Sequence, residues 1–378
     1  MIYLDQIIDM AKNWLLNSDV QQKEGEHLGA FNSWYDDELG GFAFAYPEIT
    51  GYGITLLTYL YNLEKEEIYL QKAKIAANWI LDKVIDSDGG CFSCFPYFEK
   101  YNKNKGVKYL FDSGIILNGI VNLYRETNDE RYLNAASSIA NWILNMQNQD
   151  GSFIPFVDKD GKPKHNLDTW STQSGSYLAK VCIGLLNLYD ITNNDKIKNT
   201  VIKCLNYSLK YKEKDYRFRT YQNFNSSNFH PHNYSSEAFF TSGQFLNNKT
   251  FLEIASKASE YLLRNLGPNW EVPRHFMNNK FNYNERSDII AQTLRMALLS
   301  KNIGQLNIDR EINTVYNRLI KYQVTSGEHR GAFIFGTKND GQLANNPNSW
   351  CTMFALQSLI LYKRTSEGKT DFVWRFMV

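Results

Sequence analysis

The sequence predicts an all-α fold, an (α/α)6 toroid (a six-hairpin barrel of alternating inner and outer helices) built as a single domain over residues 1–378. Three observations predict it: an internal repeat, helical segments of two alternating kinds, and connections that are short and long by turns. The repeat is the tetrad Asn-Trp-(Ile/Leu)-Leu at Asn13–Leu16, Asn78–Leu81 and Asn141–Leu144, spaced by 65 and 63 residues, with a degraded copy, Asn206-Tyr207-Ser208-Leu209, 65 residues later. Self-similarity at a fixed period marks stacked supersecondary units, and a closed array of them can hold this length as one domain. An open α-solenoid is the alternative architecture.

The tetrad lies in amphipathic segments. In residues 69–84, Leu70, Ala73, Ala76, Ala77, Ile80, Leu81 and Val84 recur at three- and four-residue steps, the helical period. Outer helices are expected near 3–17, 66–85, 129–147, 194–212, 248–266 and 308–325. Between them lie segments apolar on more than one face, such as Ile115-Ile116-Leu117-Asn118-Gly119-Ile120-Val121, and a helix apolar all round is a buried one. Inner helices are expected near 48–62, 112–126, 173–191, 233–246, 287–302 and 348–363.

The inner-to-outer connections are short and the outer-to-inner ones long: 18–47, 86–111, 148–172, 213–232, 267–286 and 326–347. Alternation would put every long loop on one face, and long structured loops in a compact domain tend to carry function. All six histidines and all eight prolines fall in these segments, and Trp34, Trp170, Trp270 and Trp350 lie in them or at their ends. That face would also present the N-termini of the inner helices, with their partial positive charge.

Bulk properties narrow the function. Forty-one basic and forty acidic residues are well mixed, which argues against a nucleic-acid footprint. No run of 18 apolar residues offers a membrane span, and the first residues lack the layout of a signal peptide. Five cysteines without framework spacing suit a reducing cytoplasm. Cys91 and Cys94 form a CxxC with no second pair, so no metal site and no cofactor is expected, and neither a P-loop, a dinucleotide fingerprint nor a GxSxG elbow occurs.

The candidate chemistry gathers at the inner-helix N-termini. Glu48 and Tyr52 share a side of the first inner helix, and Asp112 opens the second. A carboxylate there is either a cap or a base, because the helix terminus favours its ionised form. His230 and His232 flank a proline before Tyr234 and Glu237. Asp288, Gln292 and Arg295 rise along one face behind Arg286, as a cavity lining or as a buried brace. Trp350 opens the sixth inner helix. Asp36, Trp170, Gln173 and Tyr177 complete a rim in which aromatic rings could stack on pyranose faces while carboxylates, amides and Arg bind hydroxyls.

Two resemblances join these residues. The turns Gln147–Phe153 and Asp86–Phe92 look like the turn repeat of terpene cyclases and protein prenyltransferase β-subunits, a repeat shared by many α/α toroids; the DxDD acid motif of squalene-type cyclases is absent. The stretches 46–52, 230–237, 286–295 and 348–357 resemble those of bacterial toroid proteins associated with capsule and exopolysaccharide production, in a superfamily that includes six-hairpin glycosidases. That resemblance implies carbohydrate-active chemistry on a saccharide held in the central cavity, and assigns no catalytic residue.

The leading expectation is therefore an inverting glycoside hydrolase, with Glu48, Asp112 or Asp288 as base and Glu237 or Asp36 as acid. A polysaccharide lyase or uronate C5-epimerase is the alternative, with His232 or Tyr234 moving the proton and Arg286 or Arg295 holding the substrate carboxylate. A terpene cyclase-like enzyme and a non-catalytic glycan-binding scaffold stand behind these.

Overall fold

The computed structural model describes residues 4–166 and 169–378, so residue 3, expected in the first helix, lies outside the described residues. The helices run α1 (Leu4–Asn17), α2 (Pro47–Glu64), α3 (Glu67–Trp79), α4 (Leu110–Thr127), α5 (Glu130–Asn145), α6 (Cys182–Thr192), α7 (Asp195–Ser208), α8 (Phe229–Phe245), α9 (Lys249–Arg264), α10 (Ser287–Asn302), α11 (Asp309–Leu319) and α12 (Ser349–Ser366). A π turn, Ile80–Val84, prolongs α3, and a 3₁₀ segment, Ser176–Val181, leads into α6. Every expected helix is present, most of them within a few residues of its expected bounds.

The chain divides into two compact units: Met1–Ser18 with Tyr211–Val373, and Asp19–Lys210 with Trp374–Val378. The second holds α2–α7. Its inner helices are buried on every side, as α4 is from Leu110 to Leu123, while the outer α5 buries one stripe: Tyr132, Ala136, Ile139, Ala140, Trp142 and Ile143. The first unit repeats the scheme, with α8, α10 and α12 buried and α9, α11 and α1 amphipathic; Gln323 Nε2 donates to the Ile7 carbonyl of α1 at 2.8 Å. The tetrad tryptophans Trp14, Trp79 and Trp142 are 1–6% exposed, which is the wall-packing role their helical spacing predicts.

Two local devices set the alternation of loop lengths. At the short turns one residue takes the left-handed conformation and the next starts the outer helix: Asn128 (φ 53°) then Asp129, Asn193 (φ 51°) then Asn194, Asn247 (φ 50°) then Asn248. Asn tolerates positive φ better than most residues. The following Asp or Asn then accepts a backbone N–H of its helix, from Arg131, Lys196 and Phe251 respectively. The long connections open with a tight turn closed by a single backbone bridge, such as Gln147 to Phe153 and Gln323 to Phe333. Gln147 Nε2 also reaches the Thr200 carbonyl of α7 at 2.9 Å, tying that turn to an outer helix.

Gly151 is forced in this turn. Its φ is 89°, and a Cβ would lie 2.4 Å from the Lys203 carbonyl oxygen of α7. Gly151→Ala is expected to lower stability by about 1–3 kcal/mol, since strain and a backbone clash add; a urea midpoint unchanged from wild type would refute this.

One boundary differs from expectation in a way that matters below. Helix α8 begins at Phe229, four residues early, so His230 and His232 belong to the helix and not to a loop. Asn228 caps it by accepting the His230 N–H, and Pro231 sits in the first turn, where its missing N–H breaks no helical bond. No helix among the described residues is long and apolar enough to cross a membrane, and all five cysteines are free and buried.

Candidate functional site

In the α2–α7 unit two carboxylates come together. Glu48 lies in the first turn of α2, behind Pro47, and its Oε2 accepts the Tyr46 hydroxyl. Asp112 is the third residue of α4, and its Oδ2 accepts the Ser93 hydroxyl at 2.9 Å. They are 8% and 5% exposed. Burial pushes the Glu48 pKa up to about 7, against the Tyr46 hydroxyl and the Lys180 charge, which lower it. Burial, then the neighbouring Glu48 charge, raises the Asp112 pKa well above the usual carboxylate range. Such pairs titrate as a unit, and two like charges that resist joint ionisation retain a proton.

The expectation that helix N-termini hold both groups ionised is therefore reversed. A helix terminus contributes about 0.3–1 kcal/mol. Moving a carboxyl from its ordinary range to about 7 reflects a larger opposing effect, at about 1.4 kcal/mol per pKa unit. Lys180, buried at 1% exposure, donates to the Val378 carbonyl at 3.0 Å and stands 5.9 Å from the Tyr52 ring centre. Lys180 carries no periodic or motif signal, and only the folding of its 3₁₀ turn brings its charge to bear on Glu48.

The remaining rim residues of this unit are braces. Asp36 accepts the Tyr101 hydroxyl, Lys100 Nζ at 3.1 Å and the Glu38 N–H at 3.0 Å. The Tyr101 hydrogen bond leads the influences that hold its pKa below the usual range, so Asp36 is not the proton donor expected of it. Gln173 Nε2 donates to Thr169 O at 3.2 Å, the Tyr177 hydroxyl reaches Ser171 O at 3.0 Å, and Trp170 meets the Tyr177 ring edge-on at 5.0 Å. These bonds fix the segment leading into α6.

The α8–α12 unit carries a second cluster. Asp288, fully buried in the first turn of α10, accepts both Arg286 Nε (3.0 Å) and Nη2, Trp350 Nε1 (3.0 Å) and the Ile289 N–H (2.8 Å). Burial would raise its pKa, but the Arg286 charge and these donors prevail and hold it at about 2. His230 places Nδ1 2.8 Å from Gln292 Oε1 and 3.5 Å from Asp288 Oδ2. Both partners are acceptors, so Nδ1 carries the proton and the neutral ring keeps its lone pair on Nε2. Burial lowers the His230 pKa to about 4, and the Tyr234 ring lies 4.5 Å away.

Two expected catalytic residues are corrected here. His232 is 1% exposed; its Nδ1 accepts the Phe218 N–H at 3.1 Å and its Nε2 donates to Ala258 O at 3.0 Å. Both ring nitrogens are committed to backbone groups, so His232 ties the Phe218 segment to α9 and does not shuttle protons. Glu237 is fully buried and ion-paired with Arg295, itself bound to Gln357 Oε1 at 2.8 Å, with Gln292 Nε2 3.4 Å from Glu237. A carboxylate that neutralises a buried guanidinium is not an available acid, and Arg295 is likewise spent on it. Gln292 links this brace to His230.

Burial of two histidines has a pH consequence. The folded pKa values of His230 and His232 are both near 4, below the unfolded value, so between those limits the unfolded chain binds more protons and stability rises with pH. Acidification from pH 6.5 to 4 should remove on the order of 3 kcal/mol per histidine. A denaturation midpoint that stays flat across that range would contradict it.

Arg274 and Phe335 belong to this neighbourhood and escaped the sequence reading, which followed helix N-termini and not the hairpins between them. The Arg274 guanidinium lies 5.8 Å and that of Arg286 4.6 Å from the Phe335 ring centre. Among the described residues no group of three or more His, Cys, Asp or Glu is arranged to hold a metal ion.

The family described as Glycosyl hydrolase family 76 matches residues 61–242, just under half of the chain. No curated protein matches the sequence. Solved structures do match in shape. Cellobiose 2-epimerase from Bacillus thermoamylovorans is similar at TM-score 0.76 with 13% identity, over 95% of this chain and 100% of that one. A sugar epimerase from a ruminal bacterium gives 0.76 with 12% identity, over 94% and 99%. Unsaturated glucuronyl hydrolase from Bacillus sp. GL1 gives 0.71 with 14% identity, over 98% and 99%. At these identities the likeness is one of fold, and the fold class is the all-α (α/α)6 class that the repeat predicts.

Proposed function

We infer that the protein is a carbohydrate-active enzyme, a glycoside hydrolase whose acid chemistry resides in Glu48 and Asp112. The observation that carries this reading is the buried carboxyl pair that holds a proton near neutral pH. Glycoside hydrolysis needs one protonated carboxyl to protonate the leaving oxygen and one ionised carboxylate to activate water or attack the sugar. A coupled pair supplies both forms at once, and the apolar surroundings of α2 and α4 raise the proton affinity as in other glycosidase acids. The match to a glycosyl hydrolase family over residues that include Asp112 supports it, as does the likeness in fold to a sugar epimerase and an unsaturated glucuronyl hydrolase. The resemblance to capsule- and exopolysaccharide-associated proteins directs the substrate search to bacterial poly- and oligosaccharides. The test is release of new reducing ends from such a panel, with the anomer first formed read by NMR. Inversion is expected; activity that survives intact in both Glu48→Gln and Asp112→Asn would end this reading.

A second reading rests on His230. A neutral imidazole with its lone pair on Nε2, set by Asp288 and Gln292 and beside Tyr234, is equipped to take a proton from carbon, as an epimerase or lyase requires. It keeps the proton-transfer chemistry expected of His232 and moves it to His230. Incorporation of solvent deuterium into recovered sugar, without new reducing ends, would favour it over hydrolysis.

A further inference from the structure

In the α8–α12 unit the fold gathers more positive charge than its carboxylates balance. Arg286 is committed to Asp288 by two hydrogen bonds. Arg274, just before the strand His275–Met277, stands by the same Phe335 ring as Arg286. Among the described residues no carboxylate lies within ion-pair distance of Arg274, and its one side-chain hydrogen bond is from Nη1 to the Thr337 carbonyl. Burial, then the Arg286 charge, lowers its pKa to about 10, with Asp288 acting the other way. A partly dehydrated guanidinium with most of its donors unused, next to another guanidinium, is costly unless an anion completes it. Trp350 and Phe335, each partly exposed, stand edge to face at 6.5 Å beside it.

We propose that Arg274, with Arg286, Phe335 and Trp350, forms a subsite for the carboxylate of a uronic acid residue in the glycan. This rests on the carbohydrate reading above and names its substrate class as acidic. The planar fork of Arg274 matches a carboxylate bidentately, and Arg286 adds charge without leaving Asp288. The two rings supply the apolar surface that a pyranose face requires. An Asp288 carboxylate already seated between Arg286 and Trp350 leaves room in the charge balance for one further anionic group, which suits a singly charged uronate.

The experiment is calorimetric titration of the full chain with a glucuronic-acid-containing oligosaccharide and with the same glycan after reduction of its carboxyl to an alcohol. The acidic form is expected to bind at least about tenfold tighter, as a charge-assisted bidentate pair would give, with the advantage shrinking as salt rises. Arg274→Gln should abolish the advantage, so that the two glycans bind alike, and Arg274→Lys should keep part of it. Should Arg274→Gln fail to fold, the wild-type salt series and Arg274→Lys decide the matter. Equal affinity for both glycans would overturn the uronate subsite while the carbohydrate reading stands. Inorganic sulfate competing as well as the acidic glycan would mark a general anion site and also overturn it. Binding of neither glycan would overturn the subsite and count against the carbohydrate reading itself.

Discussion

Asp112→Asn is expected to reduce turnover of a glycan substrate by about 10²–10⁴-fold, the usual contribution of a positioned general acid or base. Glu48→Gln should fall in the same range, and the double variant should lose little more than the worse single one, because the two groups share one proton system. The pH dependence carries the sharper signature. Glu48 titrates near 7 and its charge raises Asp112, so Glu48 ionises first: the form of the pair with one proton arises as pH rises through that value, the acid limb of kcat/KM should lie there, and loss of the Asp112 proton sets the alkaline limb. Each single variant removes one member of the couple. With Glu48→Gln, the repulsion that raises Asp112 disappears, and the alkaline limb should move to lower pH. A variant with normal folding and an unshifted limb would show that the pair does not set the rate. Stability moves the other way: a buried carboxyl with a raised pKa stabilises the fold fully below its unfolded pKa, and the Glu48 contribution disappears as pH rises through about 7.

Glu237→Gln or Arg295→Met is expected to destabilise the protein by about 3–5 kcal/mol, the cost of leaving one buried charge without its partner. Both side chains have no solvent exposure, and Arg295 Nε has no hydrogen-bond partner even in the intact pair. The guanidinium hydrogen-bonds Glu237 and Gln357 and otherwise meets the Phe354 ring, its centre 5.2 Å away. Replacing both at once, as Glu237→Leu with Arg295→Met, should recover most of the loss, because two apolar groups fill the space without a charge to neutralise. Chemical denaturation of the two single variants and the double one measures this directly. Were Glu237 instead a working acid, Glu237→Gln would keep its stability and lose turnover.

These two residue pairs show why the site was only partly legible. Glu48, Asp112 and Asp288 were readable as chemistry because each stands at the start of an inner helix that its own repeat locates. Their protonation was not readable, since a helix terminus and a buried neighbour act in opposite directions on a carboxyl and only the packed structure sets their sizes. His232 and Glu237 stood in the same short stretch as His230 and Tyr234. Two residues separate a ring held by backbone at both nitrogens from a ring whose Nδ1 meets side chains, and the sequence treats them alike. Pro231 misled in its own way: proline reads as a helix breaker, yet in a first turn it costs nothing, so the loop assigned to both histidines is the start of α8.

The sequence by itself determined the succession of helices, their inner or outer character, the left-handed Asn turns and the tight Gln–Gly–Phe loops. All of these are fixed by local periodicity and by backbone preferences that span a few residues. Only the tertiary structure decided which charges meet. Ser93 with Asp112, Lys180 near Tyr52, and Arg274 beside Phe335 join residues from different elements. Electrostatic free energy depends on distance and burial, not on spacing along the chain, so the acid, the ionised carboxylate and the neutral base acquire those identities only once the helices have packed.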